Sequence, residues 1–392
     1  MSNEKILLSI VMPCLNEAET LGACITHAQK FLAQSGVNGE IIISDNGSDD
    51  GSLAIAAEYG VRIVAVREKG YGHALLHGMR AARGDYLIIG DADGSYDFSS
   101  LKGFLEAFTD GADLVMGCRL PSGKGTIVKS AMPFLHRYVG NPLLSGLGRI
   151  LFRVPVNDFH CGLRGLTKSA FEKMQLKSGG MEFASEVVIK AGLLALNIVE
   201  IPIIFYPDGR SRKPHLKSFK DGWRHFRLLF LYCPKILFLY PGIIFCMFGL
   251  MGLLVMLGLS DLHIFDIVLS INAVLVFSLA FLSGSQLIFY SIIAVLLLEH
   301  SGLSPRLPQY KPKKYMYDNR FFYLIGLMIF AVGLLLLLGH VLTWVGGGFT
   351  IDIRIYHHFI KHMIVYITLV LQGLQVLIAG FIVDMLKLVN IK

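Results

Sequence analysis

Two rhythms of hydrophobic positions divide this chain. Over the first 225 residues, short apolar runs alternate with longer mixed segments. Ser9–Pro13, Glu40–Ser44, Val61–Val66, Tyr86–Ile89, Leu114–Met116 and Ile198–Phe205 read as strands. Ala18–Ser35, Leu53–Tyr59 and Ala74–Arg83 read as helices between them, and Gly180–Glu186 starts another. Residues 121–150, rich in Gly, Pro and Ser with several basic side chains, predict a mobile loop and an amphipathic helix. Strands alternating with helices predict an α/β fold with a mostly parallel sheet. From Ile236 onward the rhythm gives way to four long uncharged runs: Ile236–Ser260, Ile267–Leu298, Phe321–Ile351 and Met363–Val383. Each reaches the roughly 20 residues a membrane span needs. The expected organisation is a soluble domain (1–209), a juxtamembrane segment (210–235) and a membrane domain (236–392). Its spans are expected near 236–260, 267–298, 321–345 and 360–386.

Composition agrees. Of 392 residues 54% are hydrophobic, and the mean hydropathy is +0.57, too apolar for an ordinary soluble enzyme. The net charge of +7 does not point to nucleic acid, because the basic residues gather beside the apolar runs. Arg210, Arg212, Lys213, Lys217, Lys220, Arg224 and Arg227 precede the first run, and Arg306, Lys311, Lys313, Lys314 and Arg320 separate the second from the third. The intervening loops carry almost none. The positive-inside rule then puts the N-terminal domain, the 299–320 loop and the C-terminus on the cytoplasmic side of a multi-pass plasma-membrane protein. Met1–Met12 has no signal-peptide pattern. The six cysteines show no zinc spacing and read as buried thiols. Between the charges, Leu216, Phe219, Trp223, Phe226, Leu229 and Phe230 recur at helical spacing, as in an interfacial amphipathic helix.

The chemistry concentrates where strands end. Asp91 and Asp93 follow the strand Tyr86–Ile89, at the position where open α/β sheets bind ligands. Two clustered carboxylates suit a hard cation such as Mg²⁺ that also binds phosphate oxygens, although an isolated acidic turn reads equally well as solvated. Asp45–Ser52 and Gly70–Gly72 add acidic and glycine-rich turns at further strand ends and helix starts. His73 and His77 stand four apart but lack the glutamate of a zinc-protease helix.

In order and spacing these motifs resemble family-2 glycosyltransferases of GT-A fold, in particular the polyprenyl-phosphate glycosyltransferases such as dolichol-phosphate mannose synthases and bactoprenol glucosyltransferases. Pro13-Cys14-Leu15-Asn16-Glu17 resembles P-x-x-N-E, and Asp45–Ser52 resembles D-D-G-S-x-D-G-T. Lys69–Ala74 with Gly78 and Gly84-Asp85 resembles G-x-G-x-A…G…G-D, and Gly90–Asp93 resembles G-D-A-D. The resemblance covers residues 7–230. It implies a nucleotide pocket of Pro13, Asn16, Glu17, Asp45, Gly70, Asp91 and Ala92. It also implies Mg²⁺ or Mn²⁺ on Asp91 and Asp93, with Asp93 and Arg119 as catalytic residues. The implied reaction is inverting transfer of one sugar from a nucleotide-diphosphate sugar, of UDP-glucose or GDP-mannose type, to an undecaprenyl or dolichyl phosphate. For the acceptor phosphate, Arg137, Asp158, Arg164, Glu182, Glu186, Arg210, Arg212 and Lys213 are the expected neighbours. Two departures stand out: Ser95 replaces a frequent Gln, leaving Asp97 as the nearest substitute metal contact, and Asn46 replaces an Asp. A processive polysaccharide synthase is the alternative, but its Q-x-x-R-W element is absent. A non-catalytic membrane scaffold conflicts with the intact carboxylates. Nothing in the sequence sets the copy number, and a homo-oligomer is compatible with it.

Overall fold

The computed structural model describes residues 6–211, 218–258, 262–264, 267–269, 271–300, 319–350 and 356–389. Arg212 and Lys213 lie outside them. The described residues form one unit up to Tyr232 and a second from Cys233 on.

The first unit is built on β1 (Leu8–Cys14), α1 (Leu21–Ser35), β2 (Gly39–Asp45), α2 (Ser52–Glu58), β3 (Arg62–Ala65), α3 (Tyr71–Ala81) and β4 (Tyr86–Ile89). It continues through α4 (Lys102–Thr109), β5 (Leu114–Cys118), β6 (Thr126–Ile127), α5 (Asn141–Phe152), β7 (Arg164–Thr167), α6 (Lys168–Met174) and α7 (Phe183–Leu193). β8 (Ile198–Pro202), β9 (Ile204–Phe205) and α8 (Ser218–Leu231) complete it. The expected last strand is thus two strands in different sheets, divided at Ile203. Seven strands make one sheet in the order β3-β2-β1-β4-β7-β5-β8. All neighbours are parallel except β7, which runs antiparallel to both β4 and β5. Buried Leu8, Ile10 and Met12 of β1, with Ile41 and Ile43 of β2 and Ile88 of β4, pack against α1 and α4. Such full burial of β1 and β2 is why they read as nearly continuous apolar runs.

This topology positions the chemistry. Parallel strands bring the ends of β1, β2, β4 and β5 to one sheet edge. Because β7 is reversed, its beginning lies at that same edge, with Ile89 and Met116 both paired to Arg164. The loops after Cys14, Asp45, Ile89 and Cys118 therefore meet the loop that leads into Arg164.

The second unit has α9 (Tyr240–Gly258), a short hairpin of β10 (Leu262–Ile264) and β11 (Ile267–Leu269), α10 (Ile271–His300), α11 (Asn319–Gly346) and α12 (Tyr356–Val389). Its described residues contain four helices long and apolar enough to cross a membrane. The second begins at Ile271, because Ile267–Leu269, expected inside a span, is a strand. Lys235–Leu239, ahead of α9, is wound as π-helix, which fits Pro241, whose missing N–H cannot bond the carbonyl four residues back. α9 and α10 cross closely. A Cβ on Gly249 would lie 2.3 Å from the Phe281 nitrogen, and one on Gly284 2.2 Å from the Cys246 nitrogen. Small residues permit such approach between membrane helices. Ser285 on α10 bonds Gln372 and Gln375 on α12 at 2.8 and 3.1 Å, so Gln372 serves helix packing.

Candidate active site

The Asp91–Asp93 loop is held by its backbone and by one arginine. Thr20 Oγ1 donates to the Ala92 carbonyl at 2.6 Å, and Gly209 N–H donates to the Asp93 carbonyl at 3.0 Å. Asp93 Oδ1 accepts the Ser95 N–H at 3.0 Å. Its other oxygen takes Arg210 Nη2 at 2.6 Å, while Arg210 Nη1 reaches Glu17 Oε1 at 3.0 Å. Arg210, expected at an acceptor phosphate, thus stands on the carboxylates implied for the donor.

Asp91 is in a different state. Its Oδ1 is buried without a hydrogen-bond partner among the described residues. Burial first, and the neighbouring Asp93 second, push its pKa up to about 6; Tyr71, Arg210 and Arg119 oppose them. Burial and Asp91 hold the Tyr71 hydroxyl far above its ordinary range, so it remains a donor to Asp91. Gly162 closes the other side: a Cβ there would lie 2.6 Å from Asp91 Oδ2 and 2.9 Å from the Tyr96 hydroxyl. Tyr96 itself accepts the Gly162 N–H at 2.8 Å. The sequence reading missed Tyr71 and Tyr96; Tyr71 was signalled by its place between Gly70 and Gly72.

A buried, unpartnered carboxylate oxygen beside a second carboxylate fits a divalent cation. Among the described residues no three or more His, Cys, Asp or Glu side chains form a metal-holding group. Mg²⁺ takes one or two carboxylates plus phosphate oxygens, and Asp91 and Asp93 are the carboxylates available for that. Asp97 does not extend the set. Burial raises its pKa, but bonds from Ser99 and Ser100 and the charge of His27 outweigh that and hold it low. Its oxygens cap the turn before α4, accepting Ser99 N–H and Oγ at 2.8 and 2.6 Å and Ser100 Oγ at 2.7 Å.

Three expectations follow. A proton competes with the cation for Asp91, so metal affinity should rise with pH until about pH 6 and then level off. Titration of Mn²⁺ into the protein on either side of that pH checks this, and a flat profile contradicts it. The raised pKa also means that ionised Asp91 destabilises the fold, an effect absent below the unfolded value and complete above the folded one. Asp91→Asn should therefore unfold at a higher temperature than the wild type in mildly alkaline buffer with chelator, while losing activity. Gly162→Ala must displace Asp91 or Tyr96; activity should fall at least about tenfold, with destabilisation of about 1–3 kcal/mol, measured by urea unfolding.

The expected nucleotide pocket is knitted together. Pro13, next to last in β1, is paired with Ser44. Asp45 accepts the N–H groups of Gly47 and Ser48 at 2.9 and 3.1 Å. Asn16, at φ 61, accepts the Asp49 N–H at 2.8 Å and donates its own N–H to Ser48 Oγ at 2.9 Å. Asn46 explains its departure from aspartate: its amide donates to the Glu68 carbonyl at 2.7 Å and accepts the Gly70 N–H at 2.7 Å. A carboxylate can do only the second. Gly70, at φ +139, leaves no room for a side chain against the Gly179 carbonyl.

Three expected acceptor neighbours have polar atoms engaged within the domain. Arg164, 1% exposed, spends its guanidinium on the carbonyls of Cys161, Ala184 and Phe159. Glu186, fully buried, pairs with Lys190 at 2.7 Å and accepts the N–H groups of Lys177 and Ser178. Asp158, fully buried, holds Arg119 Nε and Nη2 at 2.7 and 2.9 Å. Arg119 is correspondingly turned toward Asp158 and lies over the Phe205 ring at 5.1 Å. Glu182, at the start of α7, keeps one buried oxygen without a bond among the described residues, and Arg137 lies over Tyr138 at 5.3 Å. Around Arg137 the chain exposes Phe134, Leu135, Tyr138, Leu143 and Ile150. α8 likewise exposes Trp223 and Phe226 but buries His225 and Leu229.

Comparison with known proteins adds the following. Residues 9–174 match Glycosyl transferase family 2. The low-salt glycan biosynthesis hexosyltransferase Agl6 of Haloferax volcanii is 40% identical over 247 residues, 63% of this chain and 58% of that protein. The chain thus spans a little over half the length of that relative. A dolichyl-phosphate hexose transferase of the same organism is 28% identical over 216 residues, 55% of this chain and 89% of that protein. Among solved structures, glucosyl-3-phosphoglycerate synthase from Mycobacterium tuberculosis, in complex with Mn²⁺, UDP and glucosyl-3-phosphoglycerate, has a TM-score of 0.45 at 17% identity. The match covers 58% of this chain and 80% of that one.

Proposed function

We propose, from the premise that residues 9–174 form a glycosyl transferase family 2 domain, that the protein moves one sugar from a nucleotide-diphosphate sugar to the phosphate of a polyprenyl-phosphate lipid. The observation that carries the reading is the Asp91–Asp93 pair, whose Asp91 Oδ1 is buried and unpartnered among the described residues, in a chain that continues into four membrane-capable helices. The likeness to a dolichyl-phosphate hexose transferase supports the lipid acceptor.

In this reading an acceptor phosphate oxygen attacks the anomeric carbon and the bond from that carbon to the diphosphate breaks. A single displacement inverts the centre. The acceptor oxygen is already anionic near neutral pH, so it needs placement more than deprotonation. When bound at Asp91 and Asp93, Mg²⁺ or Mn²⁺ would neutralise charge on the departing diphosphate. Arg210 brings a guanidinium to the same place, where it can meet that charge. Tyr71 orients Asp91, and Thr20 fixes the backbone between the two carboxylates. The exposed apolar side chains of residues 134–150 and of α8 suit a membrane surface, with basic segments on its cytoplasmic, anionic side. The plasma membrane is the proposed location.

Purified full-length protein should be incubated with radiolabelled UDP-glucose or GDP-mannose, Mn²⁺ and a polyprenyl phosphate. A lipid carrying one sugar supports the proposal. A polymer indicates a processive synthase, and absence of any lipid-linked sugar across a donor panel overturns it.

A further inference from the structure

On the loop that brings Gly162 against Asp91, His160 joins a chain of two imidazoles and a hydroxyl that the roles above leave unused. His160 Nε2 lies 3.1 Å from Ser185 Oγ, which lies 2.8 Å from His225 Nδ1. The two rings meet edge to face at 4.5 Å. Ser185 is fully buried on α7, and His225 is buried on α8. The remaining nitrogen of His160, Nδ1, is buried without a hydrogen-bond partner among the described residues.

The setting is built to hold that ring still. Arg164 bonds the carbonyls on both sides of His160, those of Phe159 and Cys161, and also that of Ala184, next to Ser185. Two residues on, Gly162 lies against Asp91. Burial, then His225, Arg164 and Arg119, keep His160 neutral, well below the ordinary histidine range. A neutral imidazole has one donor and one acceptor nitrogen, set by what the other nitrogen meets. Ser185 O–H can donate to either ring; where it donates to His160 Nε2 and accepts from His225 Nδ1–H, His160 Nδ1 carries the proton. A buried N–H left unbonded is costly, and an N–H near two guanidinium groups suits an anionic oxygen.

We propose that His160 is an acceptor-binding residue whose Nδ1–H donates to a phosphate oxygen of the lipid acceptor, with Ser185 and His225 as positioning residues. This rests on the function proposed above and adds a residue to it. It also ties the acceptor site to α8, the helix that leads into the first span.

Amide side chains separate this role from a structural one. Asparagine reproduces the Nδ1 position and glutamine the Nε2 position. The probes are farnesyl phosphate and UDP, titrated calorimetrically into the full chain in detergent with Mn²⁺. His160→Ala and His160→Gln should bind farnesyl phosphate at least about tenfold more weakly than the wild type, as for loss of one charge-assisted bond. His160→Asn should stay within about threefold, and all three should bind UDP like the wild type and keep its melting temperature. Equal farnesyl phosphate affinity in all variants, rescue by Gln rather than Asn, loss confined to UDP, or no binding by the wild type overturns the proposal. Variants that fail to fold would place His160 in the scaffold and also overturn it. Wild-type binding that follows the expected series without sugar transfer would sink the proposed reaction and leave the phosphate site standing.

Discussion

Asp93→Asn should reduce sugar transfer at least about 10³-fold while leaving the domain folded. The carboxylate pairs with Arg210 at 2.6 Å and, in the proposed reaction, would also hold the divalent cation. Loss of a Lewis-acid contact worth several kcal/mol corresponds to that factor in rate. Asparagine keeps an oxygen for the Ser95 N–H, and Arg210 keeps Glu17 and Asp208, so the loop retains its anchors. Initial rates with labelled donor, beside a thermal melt of the same preparation, check the expectation. Wild-type activity in the folded variant would remove Asp93 from the chemistry.

Asp158→Ala should act in the opposite way, on stability first. Asp158 is fully buried and accepts three bonds from Arg119, two from the guanidinium and one from the backbone N–H at 3.0 Å. Removing it leaves a buried guanidinium uncompensated, at a cost of about 3–5 kcal/mol. Urea unfolding of the first unit's tertiary signal in the full chain measures this; a loss below about 1 kcal/mol would mean that Arg119 finds water or another partner. The backbone around the pair is fixed by Glu200, which accepts the N–H groups of Asn157 and Asp158 at 2.8 and 2.9 Å.

Much of the fold was legible because its signals are local. Parallel strands buried on both faces produce apolar runs, and four uncharged stretches have few other uses. The reversed strand β7 was not legible: Arg-Gly-Leu-Thr offers one large apolar residue, and it forms because two neighbouring strands accept it. The glycine and aspartate motifs were legible for the same local reason, since tight turns and clustered carboxylates demand those residue types. The contacts of Arg164, Glu186 and Asp158 were not. An arginine that grips a phosphate and one that grips three carbonyls look alike in sequence, and only burial separates them. Arg210 shows the same limit across distance, because its partner Asp93 is 117 positions away. His160 and Ser185 carry no sequence signal of their own, because their chain of bonds is completed by His225, one polar position in an amphipathic helix.

The proposed chemistry centres on a metal-supported diphosphate site at Asp91 and Asp93. Its most direct test is the affinity of the full-length protein for UDP and for GDP, measured by calorimetry with Mn²⁺ and with chelator. One nucleotide should bind at least about tenfold more tightly with Mn²⁺ in the wild type, and the gain should vanish in Asp93→Asn. Equal affinity with and without metal, or an undiminished gain in the variant, would contradict a metal site on this pair.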